Sequence, residues 1–213
     1  MTVAALYDVH GNLPALEAVL AEVPDEARIV LGGDSVYGPF PAETLACLRG
    51  LGARARWLRG NTDREQLEIG AGEGSRDVLI WVGERLSEAD VRFLHALPPT
   101  LELDGTLFCH ATPLSDTDRF GAETPEDDVV EWFADVTART VVCGHTHRQF
   151  DRTIAGRRVV NAGSVGMSHE DESGAYWALL DGSDVELRRT EFDPAPLRRV
   201  STYPRPWWDG ARG

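Results

Sequence analysis

The chain has 213 residues with a formal net charge of −14, and all 21 of its basic residues are arginine. This length allows one domain with a sizeable core, and the composition is typical of a soluble globular protein. The negative charge argues against nucleic acid and anionic membranes as partners, and the absence of lysine excludes a P-loop or Schiff-base lysine.

Three short apolar segments, at residues 3–7, 29–31 and 55–58, each end in a polar cluster and precede a helical pattern. Prolines suited to a first helical turn follow the first two segments. This repeat predicts βα units and a largely parallel sheet, in which ligands bind at the carboxyl ends of the strands. The polar clusters that fall there are Asp8-Val9-His10-Gly11-Asn12, Gly32-Gly33-Asp34 and Arg59-Gly60-Asn61-Thr62-Asp63.

The middle of the chain predicts helices and then a hairpin. Residues 63–99 have a helical pattern with a flexible break at Gly70–Gly74, and Asp63-x-x-Gln66 and Ser87-x-x-Asp90 resemble capping signals. Asp104-Gly105 lies between alternating apolar runs, which predicts a β-hairpin over 101–109 that ends at His110. A polar loop over 111–123 is long enough to form a rim or lid, and residue 124 starts a further predicted helix.

A further short apolar strand is followed by two histidines in the segment Val141-Val142-Cys143-Gly144-His145-Thr146-His147. In an extended segment His145 and His147 point to the same side, which suits a metal cluster, although a pair of surface loop histidines has the same spacing. Further strands are expected around turns at 155–156 and 181–182. We therefore predict one α/β domain over residues 1–192 and a partly ordered tail over 193–213.

The polar residues at strand ends form one candidate site. Taken alone, Asp8 or Asp34 could cap a helix, and Asn61 could hold a turn. Together the set has too many ligands for one tetrahedral ion but suits two ions with a shared bridge, for which Asp34 is the natural choice because a carboxylate has two oxygens. The candidate ligands are Asp8, His10, Asp34, Asn61, His110, His145 and His147.

The order of these motifs resembles the signature of calcineurin-like metallophosphoesterases. The matching motifs are Asp8-x-His10, Gly33-Asp34, Gly60-Asn61-x-Asp63, His110 and Gly144-His145-x-His147. The segment Asn161-x-Gly163-Ser164-Val165-Gly166 is similar to that of the small bacterial and archaeal phosphodiesterase branch. That resemblance implies a four-layer αββα sandwich of two mixed sheets flanked by helices, and the second sheet is expected on this ground alone.

The resemblance also implies a division of the ligands between two ions roughly 3.5–4 Å apart. One ion is expected on Asp8, His10, Asp34 and His147, and the other on Asp34, Asn61, His110 and His145. A water between the ions would ionise near neutral pH and attack phosphorus in line, so that Asp34 and Asn61 are expected to be catalytic. Without thiolate ligands, the set favours Mn, Fe, Zn, Ni or Co.

One position departs from the family pattern. Many relatives have histidine after the Gly-Asn pair, where it is thought to assist the leaving group, and this chain has Thr62. Threonine cannot act as an acid near pH 7, so we expect Thr62 at most to bind phosphate. Asn12 and His169 are further candidate substrate contacts, Met167 is a candidate at the rim or a packing residue, and Asp63 is expected to cap its helix or to orient a neighbour.

The expected function is therefore a dinuclear phosphodiesterase for a small or nucleotide-like substrate. A dinucleoside-polyphosphate hydrolase is an alternative, and so is a non-catalytic scaffold like the metallophosphoesterase-like subunit of retromer. Three cysteines and no apparent signal or membrane-length segment lead us to expect a cytoplasmic protein without a disulfide framework. A homo-oligomer is left open.

Overall fold

The computed structural model describes residues 1–70, 72 and 74–204, and within them ten strands form two five-stranded mixed sheets. The strands are β1 Thr2–Leu6, β2 Arg28–Leu31, β3 Ala55–Trp57, β4 Thr100–Leu103, β5 Thr106–Cys109, β6 Thr140–Cys143, β7 Phe150–Ile154, β8 Arg157–Asn161, β9 Ala175–Asp181 and β10 Asp184–Thr190. The helices are α1 Leu13–Glu22, α2 Pro41–Gly50, α3 Asn61–Glu65, α4 Arg76–Gly83, α5 Glu88–His95 and α6 Val130–Phe133.

The first sheet has the order β10-β9-β1-β2-β3 and contains the predicted βα units. Strands β1, β2 and β3 are parallel, whereas β9 pairs antiparallel with β1. Strand β1 is apolar throughout because both of its faces are buried: Ala4 and Leu6 lie in the core beneath α1, and Val3 and Ala5 lie in the core between the sheets.

The second sheet has the order β4-β5-β6-β8-β7. Its first two strands form the predicted hairpin, in which Asp104 and Gly105 have φ of 50° and 74°, as a tight two-residue turn requires. Phe108 and Val142 of this sheet pack against the first sheet, and Phe133 of α6 packs on its outer face. The four-layer αββα sandwich is thus confirmed.

Two helical predictions need correction. The described part of the region 63–99 contains three helices, one more than the predicted break at Gly70–Gly74 implies. The first begins at Asn61 and not at Asp63, so that Asp63 lies in its first turn. The helix expected from residue 124 is a 3-10 turn over Glu126–Asp128 followed by the single turn of α6. Ser87 does cap α5, since its Oγ accepts from the Asp90 N–H at 3.1 Å.

The described part of the expected tail packs against the domain. Leu197 is buried, and the ring of Tyr203 contacts that of Trp81 edge-on at 5.1 Å between centroids. Residues 205–213 lie outside the described residues, so the boundary at 192/193 stays a prediction. Among the described helices, none has the length and apolar character needed to span a bilayer.

Candidate metal centre

The ends of both sheets meet at one cluster that contains all seven predicted metal ligands. Strands β1, β2 and β3 lead into Asp8, His10, Asp34 and Asn61, and strands β5 and β6 lead into His110, His145 and His147. Each of these side chains belongs to a residue that is at most 7% exposed. The carboxyl ends of five strands therefore bury two carboxylates, one amide and four imidazoles together.

Backbone strain is concentrated at this cluster. The described chain has seven non-glycine residues with positive φ, and five of them are predicted ligands: Asp8, His10, Asp34, His145 and His147, with φ of 48–65°. Such conformations cost on the order of 1–3 kcal/mol each and persist where the surrounding structure enforces them. These conformations turn the backbone sharply after each strand, so that the side chains of the predicted ligands point toward one another.

Two glycines allow the strand ends to approach closely. A Cβ atom at Gly60 would lie 2.1 Å from Asp34 Oδ1, and one at Gly144 would lie 2.5 Å from Asp8 Oδ2. Both distances are far inside van der Waals contact. Glycine is thus required at these positions for the two carboxylates to occupy the centre.

The side chains fall into two groups that share the carboxylates. In the first group, His147 Nε2 lies 3.1 Å from His10 Nε2 and 3.3 Å from Asp8 Oδ1. In the second, His110 Nε2 lies 3.1 Å from Asn61 Oδ1. Asp34 faces both groups, with Oδ2 at 3.8 Å from His10 Nε2 and Oδ1 at 3.6 Å from His110 Nε2.

Hydrogen bonds to carbonyl groups determine which imidazole nitrogens face inward with a lone pair. His10 Nδ1 donates to Tyr37 O at 3.1 Å, and His110 Nδ1 donates to Gly32 O at 2.8 Å. A carbonyl oxygen only accepts, so each Nδ1 carries the proton, and each ring presents a bare Nε2 to the centre when it is neutral.

Acceptors therefore face acceptors in the centre. The bare Nε2 of His110 points at Asn61 Oδ1, and the buried Asp8 Oδ1 has no hydrogen-bond partner within the described chain. Unpaired buried acceptors are costly unless a cation or proton lies between them. The donor set of nitrogen and oxygen atoms fits divalent first-row transition metals, which need such lone pairs.

The environment of the cluster keeps the imidazoles of His10 and His145 neutral. Burial lowers the pKa of His10 to about 3, and burial together with nearby His110 lowers the pKa of His145 to about 4. Burial opposes the ionisation of Asp8, but His147 and His110 outweigh it and lower its pKa. Burial raises the pKa of Asp34 to about 7, so without a cation its charge is poorly supported.

Asp63 ties the strand-end loops to one another. Its carboxylate accepts from the N–H groups of Asp34 at 2.8 Å, Ser35 at 3.2 Å and Gly60 at 3.0 Å. Asp63 thus caps the N-terminus of α3 and also orients Asp34. Both roles were expected from the sequence as alternatives. The Thr62 N–H adds a bond of 2.9 Å to Asp34 Oδ1.

The 161–166 segment supports the opposite side. Ser164 Oγ and the Gly166 N–H donate to Asp8 O at 2.8 and 3.0 Å, and Asn161 Nδ2 donates to Gly144 O at 2.7 Å. The motif that suggested the small phosphodiesterase branch therefore fixes the backbone on which Asp8 and the histidine pair lie.

Asn12 does not occupy the position expected of a substrate contact. It is fully buried, its Oδ1 accepts from the Ala15 N–H at 3.1 Å as the N-cap of α1, and its Nδ2 donates to Gly166 O at 2.9 Å. Because both polar groups serve the fold, we correct its assignment to a structural one. Thr62, in contrast, lines the cavity over the cluster.

An open cavity of about 210 Å³ gives access to the cluster. Besides predicted ligands, its lining includes Thr62, Tyr37, Gly74, Arg119, Met167 and His169. Tyr37 and Arg119 were missed from the sequence, although Arg119 belongs to the 111–123 loop that was expected at the rim. The His169 ring lies 4.8 Å from the His147 ring.

Comparison with known proteins identifies the fold and motifs. The calcineurin-like phosphoesterase superfamily domain matches residues 1–184. The chain belongs to this superfamily. The resemblance stated from the strand-end motifs is thus confirmed, and with it membership among proteins that typically hydrolyse phosphoesters with divalent metals.

Individual relatives agree with this assignment. A metallophosphoesterase from Sphaerobacter thermophilus superposes with a TM-score of 0.82 at 23% identity, over 94% of this chain and 92% of that one. An uncharacterized protein of Methanocaldococcus jannaschii is 26% identical over 99% of this chain and 96% of its own length. A symmetrical bis(5'-nucleosyl)-tetraphosphatase of Janthinobacterium sp. (strain Marseille) is 33% identical over 52% of this chain and 43% of its own length.

Proposed function

We propose that this protein is a dinuclear metal-dependent phosphodiesterase that hydrolyses a small or nucleotide-like phosphodiester. The observation that carries the proposal is the inward-facing set of acceptors, in which bare Nε2 atoms of His10 and His110 lie on either side of Asp34. Two ions, for example Mn, Fe, Zn, Ni or Co, supply Lewis-acid activation of water and charge neutralisation when bound.

The distances support the division of ligands between two sites. Asp8, His10, Asp34 and His147 would hold one ion, and Asp34, Asn61, His110 and His145 the other. The ligand atoms that lie close together are those of Asp8, His10 and His147 in one group and those of Asp8, Asp34 and His110 in the other, so Asp8 borders both. Asn61 joins the second group through the 3.1 Å approach of its Oδ1 to His110 Nε2. His145 is assigned to the second group because its ring lies 5.1 Å from that of His110.

Charge explains how an acidic protein attracts an anionic substrate. Two divalent ions against two aspartates leave a local charge of about +2. Arg119 adds a guanidinium at the cavity, close enough to contribute to lowering the pKa of His145. We assign Arg119 to bind the non-bridging phosphate oxygens, together with the Thr62 side chain.

A dinucleoside-polyphosphate hydrolase is the second candidate, because of the 33% identity to a symmetrical tetraphosphatase over 119 residues. The cavity of about 210 Å³ favours the first candidate, since pockets for larger ligands are roughly 300–1,000 Å³. The scaffold alternative is disfavoured because a binding platform does not require seven metal-ligand residues, five of which have a strained backbone with positive φ.

A substrate panel tests the proposal. We expect the protein reconstituted with Mn, Ni or Zn to hydrolyse bis(p-nitrophenyl) phosphate with a higher kcat/KM than p-nitrophenyl phosphate or diadenosine tetraphosphate, and to lose this activity in EDTA. A preference for the tetraphosphate would favour the second candidate. Absence of hydrolysis with two ions bound would favour the scaffold.

Thr62 gives a prediction about the leaving group. Its hydroxyl is buried with no hydrogen-bond partner among the described residues, and it cannot protonate an alkoxide near pH 7. General acid catalysis is typically worth about 10²–10⁴-fold, so its absence should make kcat/KM fall steeply as the pKa of the leaving phenol rises. The measurement is a series of substituted aryl methyl phosphates in single-turnover assays.

Two variants complete this test. Thr62→His should flatten the slope by supplying a proton donor, whereas Thr62→Val, which keeps the shape but removes the hydroxyl, should leave it steep. A shallow slope in the parent, with chemistry rate-limiting, would contradict the prediction and point to another donor at the cavity such as His169.

A further inference from the structure

We propose that Glu65 is a positioning residue that turns the Asn61 amide oxygen toward the metal centre and anchors the cavity edge at Gly74. The inference rests on the proposed function insofar as Asn61 holds an ion. Glu65 is the last residue of α3, one helical turn after Asn61, and it is fully buried. No sequence motif marked it.

The hydrogen bond between these side chains fixes the orientation of the amide. Asn61 Nδ2 donates to Glu65 Oε1 at 3.1 Å, and this leaves Asn61 Oδ1 3.1 Å from His110 Nε2. An ionised carboxylate only accepts, so it selects the rotamer with the amide nitrogen outward and the oxygen inward. With an apolar residue at position 65, the amide could rotate and present N–H groups to the ion.

The second carboxylate oxygen holds the edge of the cavity. Glu65 Oε2 accepts from the Gly74 N–H at 2.7 Å, and Gly74 lines the cavity. A Cβ atom at Gly74 would come within 2.6 Å of Oε2, and one at Gly72 within 2.0 Å of Oε1. The backbone therefore rests directly on the carboxylate, which only glycine permits.

The next residue connects the same edge to the other ion site. The Ser75 N–H donates to Tyr37 Oη at 2.8 Å, and the carbonyl of Tyr37 accepts from His10 Nδ1. One short segment thus contacts the supports of both proposed sites, Glu65 behind Asn61 and Tyr37 behind His10. A buried carboxylate is expensive as a packing group. The two oxygens of Glu65 are hydrogen-bonded to Asn61 and Gly74, and Arg64 Nη2 lies 3.8 Å from Oε1.

The variant Glu65→Gln tests the inference because glutamine has one acceptor oxygen and can hold Asn61 or Gly74, but not both. Glu65→Asp keeps the charge but is too short to reach either group. We expect the dissociation constant of the second Mn²⁺ to rise about 10–100-fold in Glu65→Asp, with the first ion retained. Calorimetric titration and the EPR signal of the coupled manganese pair report the two ions separately.

A readout without metal tests the same bonds. In the metal-free protein, amide hydrogen exchange at Gly74 should accelerate in Glu65→Asp, and Glu65→Gln should lose either this protection or the second ion. The control is Glu68→Gln, which removes a carboxylate that is bonded to Arg64 on the surface and should change neither quantity. Circular dichroism verifies that each variant folds, and if Glu65→Gln does not, Glu65→Asp carries the test.

The outcomes separate the inference from the proposed function. If the parent binds two ions and hydrolyses phosphodiesters while both Glu65 variants keep parental metal affinity and Gly74 protection, the inference is wrong. If the parent binds fewer than two ions, the proposed function fails, while fast exchange at Gly74 in the metal-free variants would still support the anchoring role.

Discussion

Substitution Asp34→Asn is expected to leave a folded protein that binds fewer than two ions and hydrolyses phosphodiesters at least about 10³-fold more slowly, since removal of even one charge-stabilising group costs about 10²–10³-fold. Asp34 is the side chain whose two oxygens face separate groups, at 3.8 Å from His10 Nε2 and 3.6 Å from His110 Nε2. An amide has only one ligand oxygen and cannot bridge.

The fold should survive this change because asparagine fits the hydrogen bonds of the metal-free site. Its oxygen can still accept from the Thr62 N–H, and its NH₂ group would face the His10 Nε2, which lies 3.8 Å from Asp34 Oδ2. Burial also raises the pKa of Asp34 to about 7, so removal of its charge relieves a cost in the metal-free protein. We therefore expect the metal-free Tm not to fall.

The measurement combines elemental analysis with thermal unfolding in increasing Mn²⁺. A ligand at 100 times its Kd stabilises the native state by about 2.7 kcal/mol, so the parent should show a large Mn²⁺-dependent rise in Tm and Asp34→Asn a smaller one. Asp25→Asn, at an exposed acidic residue, is the matched control. Two tightly bound ions in Asp34→Asn would contradict the bridging role.

The residues predicted correctly to meet in space are those whose position depends on local pattern. Asp8, Asp34 and Asn61 each follow a short apolar strand, and the carboxyl ends of parallel strands share one edge. The hairpin likewise follows from Asp104-Gly105. The facing of the second sheet onto the first depends on apolar contacts between distant segments, which is why only resemblance to a family supplied it.

The errors and omissions depend on contacts that are distant in sequence. Asn12 was expected to contact substrate, but its side chain donates to Gly166 O, 154 positions away. Arg119 reaches the cavity through a loop whose path no periodicity encodes. Glu65 was missed because a glutamate in a short helix is ordinarily exposed, whereas here the backbone at Gly72 and Gly74 packs against its carboxylate.

Loss of one histidine from the 145–147 pair is expected to weaken one ion site and spare the other. His147 Nε2 lies 3.1 Å from His10 Nε2 and 3.3 Å from Asp8 Oδ1, so His147→Ala should weaken the site of Asp8 and His10. His145 lies beside His110, with ring centroids 5.1 Å apart, so His145→Ala should weaken the site of Asn61 and His110.

Both variants should lose most activity, on the order of 10²-fold or more, because each site contributes to charge neutralisation. The fold should persist, since both residues follow β6 in a turn with φ of 65° and 60° and no core side chain is removed. His95→Ala is the matched control, because His95 ends α5 away from the cluster, where it pairs with Glu68.

Metal stoichiometry distinguishes this arrangement from a single shared site. Crystals of each variant grown in Mn²⁺ should show strong anomalous density at one position and weak density at the other, with the weak position exchanged between His145→Ala and His147→Ala. If the two variants lose the same ion, the histidines act on one site, and the division of ligands between the groups of Asp8 and Asn61 is wrong.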